Sequence, residues 1–548
     1  MVAVLAVLVA VPVLLLGSAG PARAHATLIG TAPAQGAVLA AAPDRAVFTF
    51  DGPVVDVPGG VQVFDARGRE IESSAAVSGE ELVVALPGSV GERTLVVVWR
   101  VVSEDGHPIN GSLSFSVGAA STDVASPPAA AASPEQAPPA LSLVRWVGYA
   151  GLFLATGLVG FAVLFLPASS DRARHRVAAL ARAGAVATAL AWLAVLPLTA
   201  SYRLGAGASL FPGSAAWSSL SAAEYGVTGA VVGGVVAAVA LLGRGRPGRR
   251  RGWLALAAAV VATGAPAWTG HTRAASPEVL AVGVDVLHLL AGSVWFGGLV
   301  GLALSVPELA GRGSAAAEVL ARFSGFAAAV LAVLVVSGSL LAWRIVGSWD
   351  GLTGTGYGLL LLVKIGVAVI AVVIAAWNRF RLLPRVHRAA REPDRRSGAR
   401  LVARSAAAEA AVLVAVVLVT GFLVDRSPEG SVALAASAGT GGSGVETVRL
   451  DDVVVRAALS PQAVGANTLT IEVQDPSGGP AGTVQSLSVR VSSDALDLGA
   501  VPLTFAAAGR YTASVVLPAA GTWRMQVSLR FGEFESSVAT AEFTVAAG

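Results

Sequence analysis

Apolar residues follow two rhythms along this chain. Through residues 25–118, and again through 446–548, they alternate with polar ones or gather in short β-branched runs broken by turn residues. Between Leu141 and Val424 they instead form long stretches with little alternation. The first rhythm predicts half-buried strands, because successive side chains of a strand point to opposite faces. "VQVFDARGREI" reads as a hairpin about an Ala-Arg-Gly turn, followed by strands in "ELVVAL", "TLVVVWRVV" and "SLSFSV". Near the other end, "VETVRL", "TLTIEVQD", "SLSVRV", "RYTASVVL", "TWRMQVSL" and "ATAEFTV" repeat the theme. The second rhythm predicts membrane-spanning helices, since about 20 apolar residues cross a bilayer. Eight such segments fall near 143–167, 177–200, 222–243, 252–270, 279–305, 324–346, 356–378 and 403–424.

The predicted fold is therefore a multidomain membrane protein. An all-β sandwich of immunoglobulin-like or cupredoxin-like type occupies 25–118, a polytopic α-helical domain 141–425, and an immunoglobulin-like all-β sandwich 446–548. The Pro/Ala/Ser stretch 119–140 and the Gly/Ser-rich stretch 426–445 read as linkers. Residues 1–24 are an apolar run ending in Ala22-Arg23-Ala24, which fits a secretory signal cleaved after Ala24, although a positive start is missing; an uncleaved anchor is the alternative. Cleavage there leaves His25 at the mature N-terminus.

Charge then sets the topology. The loops "DRARHR", "GRGRPGRRR", "GRG…ARF" and the stretch from Asn378 to Arg404 carry clustered Arg, whereas the alternate loops carry one Arg at most. By the positive-inside rule the Arg-rich loops are cytoplasmic, which places both β domains outside the plasma membrane. Composition agrees: 54% of residues are hydrophobic, 13% are charged, and the net charge is only +3. The basic residues are topology signals and no nucleic-acid partner is expected. There is no cysteine, so disulfides, thiolate metal sites and thiol nucleophiles are excluded. The two methionines, Met1 and Met525, supply no thioether cluster for Cu(I). One lysine remains in the whole chain, Lys364, inside a predicted span.

Six histidines are the scarce donors, and two of them frame a candidate metal site with an aspartate. His25, once exposed by cleavage, offers both its α-amine and its ring nitrogen. The amine has a pKa near 8, low enough for a strongly bound metal to displace its proton. Asp105 and His107, in "VVSEDGHPINGSLSFSV", stand two apart, a spacing that aims both side chains to one face of an extended segment. Three nitrogens and one carboxylate oxygen suit tetragonal Cu(II), which heads the divalent affinity order. A plain Asp-Gly turn beside an exposed His107 is the alternative.

The same stretches carry a resemblance. "HATLIGTAPAQGAVL" and "VVSEDGHPINGSLSFSV" closely resemble the CopC copper-binding domain over 25–118. "HLLAGSVWFGGL", "RFSGFAAAVLAVLVVSG", "TGYGLLLLVKIGVAV" and "RSAAAEAAVLVAVVLVTG" resemble CopD, and the final β domain is similar to YtkA-like domains. The resemblance implies extracytoplasmic Cu(II) capture coupled to copper uptake or resistance, with His25, Asp105 and His107 as ligands. In "FTFDGPV" Asp51 stands one position earlier than the family's acidic residue, which leaves it a second-rank candidate.

Ionisable groups within spans cost about 2.5–3.5 kcal/mol even on the lenient insertion scale, so each needs a function or a partner. Asp285 and His288 share a helix face at i, i+3, with Trp295 deeper on that face. His271 precedes that helix, Lys364 lies two turns into the seventh span, Glu224 at the outer end of the third and Glu409 inside the eighth. A copper route through His271, Asp285 and His288 and onward to Glu409 follows, with Lys364 pairing Asp285 or gating the path. Mutual neutralisation between helices is the alternative, and His175 and His387 read as solvated bystanders. No nucleotide-binding loop is present, so transport would draw on the ion gradient, the membrane potential or protons. A non-enzymatic copper carrier is expected, with copper ion and lipid bilayer as partners and an extracytoplasmic protein as a partner for the last β domain. Two other classes stay open. One is a copper-dependent oxidative enzyme using the His25 chelate, against which the Asp ligand argues; the other is a haem-bearing electron carrier, for which His288 has only His271 near its depth.

Overall fold

The computed structural model describes residues 26–546, apart from 27, 34–36, 51, 88–92, 104–105, 107, 119–136, 168–169, 206–207, 244, 271–276, 311–314, 347–348, 383, 385–391, 425, 427–444, 451–452, 476–478, 480–485, 494–495, 502, 508 and 531–535. The predicted signal segment, His25, Asp51, Asp105, His107, His271, His387 and most of both linkers lie outside the described residues.

The N-terminal domain is a two-sheet sandwich. Its strands are β1 (Leu28–Ala32), β2 (Val38–Leu39), β3 (Arg45–Phe50), β4 (Val54–Asp65), β5 (Glu70–Ile71), β6 (Ser74–Ser78), β7 (Glu81–Ala85), β8 (Arg93–Ser103) and β9 (Pro108–Val117). One sheet runs β1-β3-β7-β6 and the other β2-β9-β8-β4-β5. Alternation drives the packing: Ala46, Phe48 and Phe50 of β3 all point inward and are fully buried. Trp99 of β8 fills the space between the sheets, its ring 5.8 Å from Phe48 and 5.4 Å from Phe50. Burying each phenylalanine contributes roughly 1.5–3 kcal/mol. The predicted hairpin forms between β4 and β5, with Val63 opposite Ile71. Asp65 closes its turn by accepting hydrogen bonds from the Arg67 and Arg69 amides at 2.9 and 3.0 Å, and from Arg69 Nε at 3.0 Å.

Eight long helices follow: α1 (Pro139–Leu164), α2 (Asp171–Arg203), α3 (Ala222–Leu242), α4 (Arg249–Gly264), α5 (Glu278–Leu309), α6 (Ala315–Val346), α7 (Gly356–Trp377) and α8 (Glu392–Leu423). Among the described residues seven helices are long and apolar enough to cross a membrane, where the hydrophobic pattern predicts eight. The fourth falls short because Pro266 has no amide hydrogen to continue the α ladder, and Ala265–Trp268 winds as a 3-10 turn instead. The α4 helix and this turn together still extend about 32 Å, enough for a hydrocarbon core of about 30 Å. Several helices also run longer than the apolar runs, α2 among them: its last turn takes in Ser201, Tyr202 and Arg203, which the sequence places in a loop.

Helix α1 is the hub, packed against α2, α3, α4, α5 and α8. Small residues permit this, as apolar burial gives helices no reason to associate in lipid and close packing must supply it. At the α1–α5 crossing a Cβ on Gly297 would stand 2.3 Å from the carbonyl carbon of Gly157, so the two backbones touch. Thr156 and Ser293 hydroxyls meet at 2.8 Å beside that contact, and Thr263 of α4 donates to Thr156 at 2.9 Å.

The C-terminal domain is a second sandwich, of β10 (Val445–Leu450), β11 (Val453–Ser460), β12 (Gly465–Gln474), β13 (Ser486–Ser493), β14 (Asp497–Val501), β15 (Thr504–Ala507), β16 (Arg510–Leu517), β17 (Gly521–Arg530) and β18 (Ser536–Val545). Its sheets run β10-β11-β12-β16-β15 and β14-β13-β17-β18, around Trp523, Met525, Leu469, Ile471 and Val515.

Candidate functional site

Two polar sites stand out, one at the junction of the first sandwich with the helices and one inside the bundle. At the junction, the Ala26 amide donates to Ser103 Oγ at 2.8 Å, although 77 positions separate them. The Gly106 amide closes a turn onto the Ser103 carbonyl at 2.9 Å. Gly52 packs on Ala26, 3.9 Å from its Cα to the position a side chain would take. The sequence neighbours of His25, Asp51, Asp105 and His107 thus converge, while those four residues are outside the described set.

This loop abuts the outer ends of α2 and α3. A side chain at Gly106 would begin 3.2 Å from Arg203 Nη2, and the Arg100 guanidinium lies against Gly205 just past α2. Burial there pushes the Arg100 guanidinium below its ordinary value, against the field of Tyr202, which raises it. Arg203 pairs bidentately with Glu224, Nη1 to Oε2 at 3.0 Å and Nη2 to Oε1 at 2.8 Å, and donates to the Ser219 carbonyl at 2.7 Å. Glu224 is also the N3 residue of a capping box on α3, accepting from the Ser221 amide at 2.8 Å. One cavity of about 180 Å³ joins the two domains, lined by Val102, Ser103 and Gly106 on one side and by Arg145, Tyr149, Arg203 and Glu224 on the other.

Inside the bundle, His288 of α5 faces α6. Ser337 Oγ donates to the Val333 carbonyl at 2.6 Å, so the oxygen is left to accept from His288 Nδ1 at 3.0 Å. With Nδ1 as the donor in this bond, Nε2 carries the lone pair that a metal ligand or a base requires. The ring packs on Gly338, where a Cβ would stand 3.0 Å from Cε1. Lys364 of α7 lies within Coulombic reach of both His288 and Asp285, and Asp285 within reach of Tyr149 and Tyr357. Residues of α1, α5, α6 and α7 therefore form one polar cluster.

Glu409 stands apart from that cluster. Its Oε1 accepts from Trp295 Nε1 at 2.8 Å and its Oε2 from Asn378 Nδ2 at 3.0 Å, while Ser405 Oγ donates to Asn378 Oδ1 at 2.5 Å. Trp295 is seven residues past His288, roughly 10 Å along the helix. Asn378 opens a π-helical turn, Asn378–Leu382, a distortion frequent at functional positions. Among the described residues no group of three or more His, Asp or Glu side chains is placed to hold a metal. His175 is exposed and its Nδ1 contacts the Asp171 carbonyl at 2.7 Å, an interaction within its own helix. Sequence reading missed Ser337, Asn378, Ser405 and the pairing of Arg203. Only the polar identity of the first three within or beside apolar runs could have marked them.

Comparison with known proteins settles the class. Residues 28–118 match the CopC domain, 135–279 the copper resistance protein D-like N-terminal domain, and 317–423 copper resistance protein D. The chain belongs to the CopC–CopD copper resistance family. Its CopC and CopD domains are joined in one polypeptide. The chain is 24% identical to "Copper transport protein CutJ" of Bacillus subtilis over 85% of each chain. It is 34% identical to "Copper resistance protein D" of Pseudomonas syringae pv. tomato over 31% of this chain and 57% of that one. A solved CopC from Methylosinus trichosporium OB3b is 25% identical, covering 18% of this chain and all of that one, with a TM-score of 0.16. This is a multi-pass membrane protein of copper transport and resistance.

Proposed function

We propose that the CopC domain captures Cu(II) outside the cell and passes it through the junction cavity to the CopD helices for import. Signal cleavage after Ala24 frees the His25 amine, and its two nitrogens with Asp105 and His107 hold the ion. The observation that carries this reading is the convergence of their sequence neighbours: Ala26 is bonded to Ser103, and Ser103 and Gly106 line a cavity whose other wall is the membrane domain. Copper released there meets the cluster of Asp285, His288 and Lys364, where Nε2 of His288 is the available nitrogen. His271 precedes this helix in sequence and completes the outer step. Glu409, locked by Trp295 and Asn378, lies further along as the inner carboxylate.

In this reading both β domains are extracytoplasmic, copper is cargo, and the chain is a carrier and not an enzyme. The CutJ and copper resistance protein D similarities support transport. Mass spectrometry of the mature chain together with spin-resonance spectra of its 1:1 Cu(II) complex tests the capture step. A terminus at His25 with nitrogen-coordinated cupric ion is expected, and spectra unaltered by His107→Ala would overturn it.

A further inference from the structure

The C-terminal sandwich touches the CopC domain at a place with a consequence for copper. Strand β14, the terminal strand of its sheet, packs against β9 and against β1. Arg490 of β13 donates through Nη2 to the Asn110 carbonyl of β9 at 3.1 Å, across 380 positions of sequence. Among the described residues β1 is the end strand of its own sheet, and β9 is bordered on its outer side by two-residue β2, at Ser116 and Val117. β14 thus packs against two strands that border their sheets, where backbone groups call for partners. Arg490 supplies one to a carbonyl.

These two strands are also the ones that lead directly out of the copper ligands. β9 starts at Pro108, the residue after His107, and Asn110 is three residues from that ligand. β1 starts at Leu28, three residues from His25. One strand of the last domain thus holds down both chain segments from which the proposed ligands arise. Tethering makes so small a contact sufficient. The 21 residues between Leu423 and Val445 can extend about 70 Å, and docking within one chain proceeds at effective concentrations on the order of millimolar.

We propose that the C-terminal sandwich is a clamp on the copper-binding end of the CopC domain, with Arg490 as its positioning residue. It slows copper exchange by restraining β1 and β9. The metal in this inference rests on the Cu(II) reading above; the docking does not.

The test uses the full chain in lipid nanodiscs, loaded with one equivalent of Cu(II) and mixed with EDTA. Arg490→Ala should release copper about threefold to tenfold faster than the native chain, the scale of one charge-assisted hydrogen bond. Arg456→Ala, at an exposed position of the opposite sheet, should leave the rate unchanged. Equal rates for the native chain and Arg490→Ala overturn the clamp. Docking is read separately, because the chain has no cysteine of its own. Asn110→Cys with Arg490→Cys should be joined by a short bis-maleimide, and failure to cross-link in a folded chain overturns the contact itself. A native chain that holds no Cu(II) but still cross-links removes the copper reading and leaves the docking.

Discussion

Ser337→Ala isolates the contribution of the bundle site. In the native chain the Ser337 hydroxyl hydrogen goes to the Val333 carbonyl and its oxygen receives His288 Nδ1–H. Removing the hydroxyl takes this acceptor from a half-buried imidazole and leaves the Leu334 carbonyl as its other partner. Either Nδ1–H is left poorly satisfied, at about 1–3 kcal/mol, or the proton moves to Nε2 and occupies the nitrogen offered to copper. In copper affinity at this step the penalty corresponds to roughly a five- to hundredfold loss, comparable with the effect of removing an outer partner from a metal-bound histidine. The assay is the concentration dependence of copper uptake into cells, with nitrogen NMR of labelled histidine reporting the tautomer. KM should rise by that factor, while Ser337→Thr, which keeps the hydroxyl, should stay near native. An unchanged KM together with a shifted tautomer would refute the assignment of Nε2 as ligand.

Three further outcomes follow from the packing. Glu224→Gln leaves the Arg203 guanidinium buried against a neutral amide; a loss of about 3 kcal/mol is expected in detergent thermal unfolding, and unchanged unfolding would show the pair to be idle. Gly297→Val forces a side chain into the Gly157 backbone, so the purified yield of folded chain should collapse, whereas Gly160→Val, with open space at its Cα, should be tolerated. For Asp65, burial raises the carboxyl pKa, but the hydrogen bonds from Arg69 and Arg67 outweigh it and hold the value below the ordinary 3.8. Its stabilisation is therefore full above the unfolded pKa and lost as pH falls through the depressed folded value. The acid unfolding of the CopC domain should lose part of its steepness below pH about 4 in Asp65→Asn, as followed by Trp99 fluorescence.

Much of the architecture was legible because two periodicities separate the classes. Period-two alternation in "ELVVAL" or "RYTASVVL" permits little else, and long apolar runs mark helices whatever their exact ends. The ends failed where polar residues stay helical: Ser201, Tyr202 and Arg203 continue α2, where Glu224 neutralises the arginine and the Ser219 carbonyl accepts from it. The fourth span is a shorter α-helix than its apolar run for a local reason, the proline at 266, which turns its last residues into a 3-10 turn. In the site, rarity of charge in the bundle pointed to Asp285, His288, Lys364 and Glu409, but rarity names residues without naming partners. Glu409 is tied to Trp295 and Asn378 by hydrogen bonds across 114 and 31 positions, and no local pattern encodes these. The contact between Arg490 and a backbone carbonyl leaves no side-chain signature at Asn110 at all.

The central claim is that copper passes from the CopC loop through the junction into the CopD helices, and flux in proteoliposomes tests it most directly. Radioactive Cu(II) is supplied on the face bearing the β domains, and its appearance in the lumen is followed for the native chain, His107→Ala and His288→Ala. The account predicts rapid entry for the native chain, entry by His107→Ala only at raised copper, and none for His288→Ala at any concentration. Equal entry for all three would contradict it.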